Sequence, residues 1–218
     1  MYDKVTMGIT AENVAALHQI SRQEQDEFAL HSQQKAARAM KEGLFAPEII
    51  PFIVQDRKGS VVVDTDEHPK ANTTLEGLAK LRPAFKKDGT VTAGNASGMN
   101  DAGVAMVVMS EIKSKTLGLT PLARVLASAV TGLDPRIMGL GPVSAVNKLL
   151  AKTGMILADI DLFELNEAFA AQSLGVLKEL GMLPGTSLYD RVNVNGGAIA
   201  LGHPLSASGG TDLDNADV

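Results

Sequence analysis

Beyond Thr92 the chain alternates short apolar segments with helical ones, and this alternation restricts the fold more than any other feature. Gly103–Met109 (Gly-Val-Ala-Met-Val-Val-Met) is a continuous apolar run, the pattern of a strand covered on both faces. Leu122–Val130 reads as a strand, and Val143–Lys152 as a helix closed by Gly154. Ile160–Leu165 reads as a strand, Glu167–Leu180 as a helix closed by Gly181, and Arg191–Asn195 as another strand. Strands alternating with helices predict an α/β layer on a mainly parallel sheet.

The first part of the chain has a different texture. Thr10 can cap a helix whose apolar positions Val14, Leu17 and Ile20 follow helical spacing. Ser21-x-x-Glu24 is a capping-box pattern opening a second helix through Met40, ended by Gly43. Glu48–Gln55 is β-rich but interrupted by Pro51, which marks an edge strand, and Val61–Val63 reads as a second short strand. From Lys58 to Ala93 the chain is polar and turn-rich, with a short helix near Leu75–Leu81 stopped before Pro83.

A chain of 218 residues is long enough for one sizeable core or two small domains. The net charge of −5 and the 4% aromatic content argue against nucleic-acid and anionic-membrane partners. No apolar run approaches a membrane span. Met1-Tyr2-Asp3-Lys4 shows neither a signal peptide nor a transit peptide, so a cytoplasmic location is expected. There is no cysteine, which removes disulfides, thiolate metal sites and a cysteine nucleophile from these residues. The four histidines have no metal-ligand spacing, so no metal is expected.

Three segments carry residues suited to chemistry. Thr92–Asp101 (Thr-Ala-Gly-Asn-Ala-Ser-Gly-Met-Asn-Asp) is small enough to let a ligand approach the backbone, or is a tight turn with Asn and Gly in left-handed positions. Asn166-Glu-Ala-Phe169 lies where a strand meets a helix, the end of an α/β sheet where ligands bind. Asn166 either holds a water or developing oxyanion there, or caps the helix. In Asn193–Pro204 a strand runs into glycines and fixes His203 between Gly202 and Pro204. His203 is then a general base, or a turn histidine bonded to backbone. Ser206 and Ser208 read as small packing residues at a helix start. His18 and His31 fall on solvated helices and His68 in a polar loop, with no role assigned. No Gly-x-Gly-x-x-Gly bridges a strand and a helix.

Together these stretches resemble the thiolase family. Lys80-Leu-Arg-Pro-Ala-Phe85, Val91–Gly98, Asp134-Pro135 with Gly139–Pro142, Asn166–Phe169 and Asn195–Pro204 occur in the family's order, and the resemblance runs from about Met7 to Gly209. It is nearest the acetyl-CoA acetyltransferase branch. The resemblance implies a layered αβαβα fold of two similar halves, present here incompletely. Residues 1–99 would form the coenzyme-A-binding loop domain, 100–120 the last strand of the first half with a linker, and 121–210 part of the second half. Residues 211–218 would be an acidic tail outside the family pattern.

The implied chemistry is reversible Claisen condensation or thiolysis of a 3-ketoacyl-CoA. Coenzyme A or acyl-CoA is then the substrate, with no covalently bound cofactor. His203 matches the histidine that activates the nucleophile, and Asn166 the asparagine that positions a water at the oxyanion. Ser97 matches a pantetheine contact. Met7, Phe85, Ala93, Ala96, Ala168 and Phe169 fall along the pantetheine tunnel, and Lys70 near the nucleotide end.

The departures concern the cysteines. The family's nucleophilic cysteine lies upstream of the loop domain and its acid/base cysteine downstream of the Gly-His-Pro segment, and neither is among these residues. Thr6 stands where relatives often have His, and the polar stretch from Thr211 stands where an apolar helix is expected. The expectation is therefore a thiolase-family acyltransferase piece, inactive alone, from a family of homo-oligomers. The alternative is a non-catalytic coenzyme-A-binding or partner-binding derivative.

Overall fold

In the computed structural model, which describes residues 5–57 and 59–210, the core is organised around one helix. That helix is α6 (Ala170–Glu179), following α1 (Met7–His18), α2 (Arg22–Glu42), the hairpin β1 (Phe52–Asp56) and β2 (Gly59–Val63), α3 (Leu75–Ala79), α4 (Glu111–Leu117) and α5 (Gly141–Thr153). A single-turn α7 (Ala198–Leu201) comes after it. Ala170 and Leu177 of α6 pack with Phe28 and Ala29 of α2, Val192 and Ile199. Ala171 packs with Ala11, Ala15 and Val91, and Val176 with Val14 and Leu140. Alanine at five of these positions lets α1 and α2 lie close to α6.

The two ends of α2 obey local chemistry. Ser21 accepts from the Glu24 N–H while Glu24 reaches back to the Ser21 N–H, so α2 opens on a complete capping box and closes at Gly43 in the left-handed conformation. Thr10 is not a cap. α1 starts one turn earlier, after Thr6, and the Thr10 hydroxyl donates back to Met7 O. The hairpin pairs Phe52 with Val63 and Val54 with Val61 in antiparallel register, with no residue of either strand buried.

The expected parallel sheet is the main correction. Among the described residues Gly103–Met109 and Leu122–Val130 are mostly solvent-exposed and without strand pairing, because a strand pattern gives a strand only where a partner accepts its backbone bonds. Ile160–Leu165 and Arg191–Asn195 do meet, but as one parallel bridge between Phe163 and Val192. At the next position the Asn193 side chain replaces the ladder. Its Oδ1 accepts from Leu165 N–H (2.7 Å) and its Nδ2 donates to Leu165 O (2.8 Å), with Asn193 at φ 45°. The helix expected from Glu167 begins at Ala170 instead.

The segment Thr90–Asn95 is fixed by buried polar groups. The Glu12 carboxylate accepts from the N–H groups of Thr90 and Val91, each at 2.9 Å. Asn95 accepts from Thr92 N–H through Oδ1 and donates to Asp26, while its carbonyl accepts from Ala170 N–H. The turn at Thr92–Asn95 is thus closed by the Asn95 amide, and neither Gly94 nor Asn95 takes the left-handed conformation expected for it. The readings placed on Met1–Lys4 and on Thr211–Val218 lie outside the described residues. No helix among the described residues is long and apolar enough to cross a membrane.

Candidate active site

Three segments distant in sequence run side by side. Ser97 N–H donates to Ala168 O at 3.1 Å, Ala96 bridges Phe169 in antiparallel sense, and His203 N–H donates to Gly98 O at 2.8 Å. The small-residue segment after Thr92 is therefore the middle rib, with Asn166–Phe169 on one edge and the His203 turn on the other. Phe85 stacks edge-on against Phe169 with ring centroids 5.9 Å apart, and its ring lies against Gly8, next to Met7. Met7, Phe85, Ala96, Ser97, Ala168, Phe169 and His203 thus form one continuous strip, half-buried to exposed.

Two candidates stand outside that strip. Ala93 is exposed in the turn closed by Asn95. The side chain of Lys70 is exposed, and its backbone N–H is tied to Gln33 of α2 at 2.7 Å.

Asn166 and His203 meet at the end of the strip. Asn166 Nδ2 stands 3.3 Å from His203 Nε2, so Asn166 does not cap α6, whose N-cap position is taken by Phe169 without a side-chain bond. Asn166 Oδ1 is buried, with no hydrogen-bond partner among the described residues. His203 Nδ1 lies 2.6 Å from Ser208 Oγ. Burial pushes the His203 pKa below that of a free imidazole. A neutral ring with one nitrogen at an amide donor can take a proton there. The backbone turns into His203 through Gly202, at φ 93°, a conformation that favours glycine. The space beside Gly202 is filled by the Asn100 amide rather than left open beside the ring.

Sequence reasoning missed three residues. Ser208, read as packing, reaches the imidazole. His68, given no role, holds Ala200 O at 2.7 Å through Nδ1 and packs against Gly98, tying its loop to the His203 turn. Their signal was absent because each acts across a chain reversal. Apart from these three, His18, read as solvated, faces Glu179 of α6 at 3.0 Å.

The third is Glu167, the residue after Asn166. Its carboxylate accepts from Ser32 Oγ (2.6 Å), Asn193 Nδ2 (2.9 Å) and Ile199 N–H (3.1 Å). It joins α2, the strand-like segment at Asn193 and α7 beneath the site. Burial pushes its pKa above the ordinary carboxyl value, opposed by these donors and by the Lys35 charge. An acid whose folded pKa is raised keeps its proton in the native state after the unfolded chain has lost it. Stability therefore falls as pH rises from the ordinary glutamate value of about 4.5 through the folded pKa. Urea melts from pH 4.5 upward should show this fall, and Glu167→Gln should flatten it. Equal slopes in both proteins would place the pH dependence on another group.

Comparisons with known proteins show the family. The thiolase N-terminal domain family model matches residues 1–112, and the thiolase C-terminal domain model matches residues 119–214. The chain is 59% identical to the acetyl-CoA acetyltransferase of Chromobacterium violaceum over 209 residues, covering 95% of this chain and 52% of the relative. The crystal structure of the Bacillus anthracis acetyl-CoA acetyltransferase superposes with a TM-score of 0.93 at 48% identity, covering 98% of this chain and 53% of that one. The human mitochondrial 3-ketoacyl-CoA thiolase gives 0.88 at 47% identity, covering 97% and 52%. The chain spans about half the length of the relatives it matches. Its mixed helix and sheet is the corresponding part of the fold those structures share.

Proposed function

We propose that this chain, which belongs to the thiolase family, carries the acyl-CoA-facing side of an acetyl-CoA acetyltransferase site. The observation that supports it most directly is the 3.3 Å approach of Asn166 to His203 at the end of the strip holding Phe85, Ser97 and Phe169. The strip receives the pantetheine arm of coenzyme A, with Ser97 as its hydroxyl contact and Met7, Ala93, Ala96 and Ala168 beside it. Lys70 faces the nucleotide end. Residues 1–99 serve as the loop domain in this reading, and the location is cytoplasmic.

In the thiolysis direction, His203 Nε2 takes the proton of a thiol. The thiolate attacks the 3-keto carbonyl of the substrate, and the oxyanion is met by His203 and by a water on Asn166. The bond to the α-carbon breaks, the departing enolate is protonated and leaves as acetyl-CoA, and free coenzyme A then takes the acyl group from the thioester. Every step after substrate binding needs the enzyme's thiolate, and these 218 residues contain no cysteine. The chain by itself therefore binds without turning over. The same absence favours a second reading, a non-catalytic coenzyme-A-binding protein of thiolase descent.

Amide spectra of the 15N-labelled chain titrated with acetyl-CoA test the binding surface common to both readings. Shifts should cluster at Ser97, Ala168, Phe169 and His203. A saturating titration that moves none of them, or only residues of the hairpin, would remove the proposed site.

A further inference from the structure

We propose that Ser208 is a positioning residue for His203, whose hydroxyl holds the neutral imidazole in the Nδ1–H form so that Nε2 presents its lone pair to the site. The assignment rests on the reading of His203 as proton acceptor. The argument begins at the other side of the ring. The Asn166 Nδ2 group facing Nε2 can only donate, so this contact forms when Nε2 accepts and the single ring hydrogen of a neutral imidazole sits on Nδ1, but at 3.3 Å it is too long to fix that hydrogen by itself. At Nδ1 the partner is Ser208 Oγ, 2.6 Å away. The serine hydroxyl can in turn donate to Pro204 O at 3.3 Å. Asn166 N–H to Nε2, Nδ1–H to Ser208, and Ser208 O–H to Pro204 then run in one direction, each donor meeting an acceptor.

The backbone makes this geometry firm. Ala207 N–H and Ser208 N–H both donate to Pro204 O, at 2.7 and 3.0 Å, so the turn returns Ser208 to the ring of the histidine five residues before it. Ser208 is buried, with little water to compete for Nδ1. On the opposite flank His203 N–H is held by Gly98 O at 2.8 Å. Backbone on one side and hydroxyl on the other leave the ring one orientation. A serine that only filled space would have no need to aim its oxygen at Nδ1.

Histidine 15N spectra of the full chain read the tautomer without substrate, so a chain that fails to bind acyl-CoA can still pass or fail this test. The His203 signals are assigned by their loss in His203→Gln. In the unaltered chain at neutral pH we expect Nδ1 protonated and Nε2 unprotonated. Ser208→Ala should convert His203 to a majority of the Nε2–H form, the form neutral imidazoles favour without a partner at Nδ1. Ser208→Thr, which keeps the hydroxyl, should restore the Nδ1–H signature, and a purely structural role for Ser208 would not move the tautomer at all. An Nε2–H ring in the unaltered chain, or an unchanged Nδ1–H ring in Ser208→Ala, overturns the assignment. Should Ser208→Ala fail to fold, Ser208→Thr decides, and loss of the Nδ1–H form there overturns it too.

Discussion

Gly197→Ala should abolish cooperative folding. A Cβ at Gly197 would stand inside the Glu167 carboxyl group, 2.6 Å from Oε2 and closer still to the carboxyl carbon. Real carbon contacts do not reach such distances, so one group has to move. The carboxylate cannot move freely, since Ser32, Asn193 and Ile199 hold it and it is wholly buried. Overpacking alone costs about 1–3 kcal/mol. Displacing a buried, hydrogen-bonded carboxylate from its donors costs about 3–5 kcal/mol more. Together these approach the roughly 5–15 kcal/mol that holds a domain folded. The control is Gly132→Ala, where nothing lies within 4 Å of the added carbon. Far-UV circular dichroism melts of both variants check this. Gly132→Ala should melt like the unaltered chain and Gly197→Ala should show no transition, whereas matching melts would mean that Glu167 is not held as described.

The second large effect concerns the whole surface. Purified alone, the chain should self-associate, bind a hydrophobic dye strongly and melt broadly at low temperature. Val107 is 86% exposed, Val108 83% and Leu122 90%, all within apolar runs whose sequence is that of buried strands. The hairpin adds Phe52, Ile53, Val61 and Val62, exposed on both of its faces. Two strands without a packed face have little stability of their own. Each large apolar side chain left in water forgoes about 1.5–3 kcal/mol, and unpaired strand edges invite other chains. Size-exclusion chromatography with dye binding and a thermal melt measures all three. A monodisperse monomer with little dye and a sharp melt at high temperature would show that these 218 residues are self-sufficient.

What the sequence made legible follows the range of the interactions. The capping box at Ser21 and Glu24 and the glycine stops at Gly43 and Gly154 depend on neighbours a few residues away and stand where the pattern put them, whereas the first hairpin strand, expected from Glu48, begins only after Pro51. The three segments singled out for their chemistry come together, with Asn166 beside His203. The sheet was misread because a strand is a property of two segments. Gly103–Met109 has the composition of a central strand, but nothing among the described residues pairs with it. Arg191–Asn195 shrank to one bridge because the Asn193 side chain took the bonds of the backbone at Leu165. Glu167 was read as the first residue of a helix, since its partners Ser32 and Asn193 lie 135 and 26 residues away. Ser208 lay five residues from His203 and still escaped notice, because a serine after a Gly-His-Pro turn has the composition of packing.

On the proposed reading this chain holds the histidine and asparagine of a thiolase site, His203 and Asn166, but not the thiolate on which they act. Cleavage of acetoacetyl-CoA by free coenzyme A, followed by loss of the enolate absorbance, tests it most directly, with His203→Ala measured beside the unaltered chain. The expected result is a rate that His203→Ala leaves unchanged and that matches buffer alone. Sustained turnover abolished by His203→Ala would contradict it, since His203 would then be activating a nucleophile that is not a cysteine.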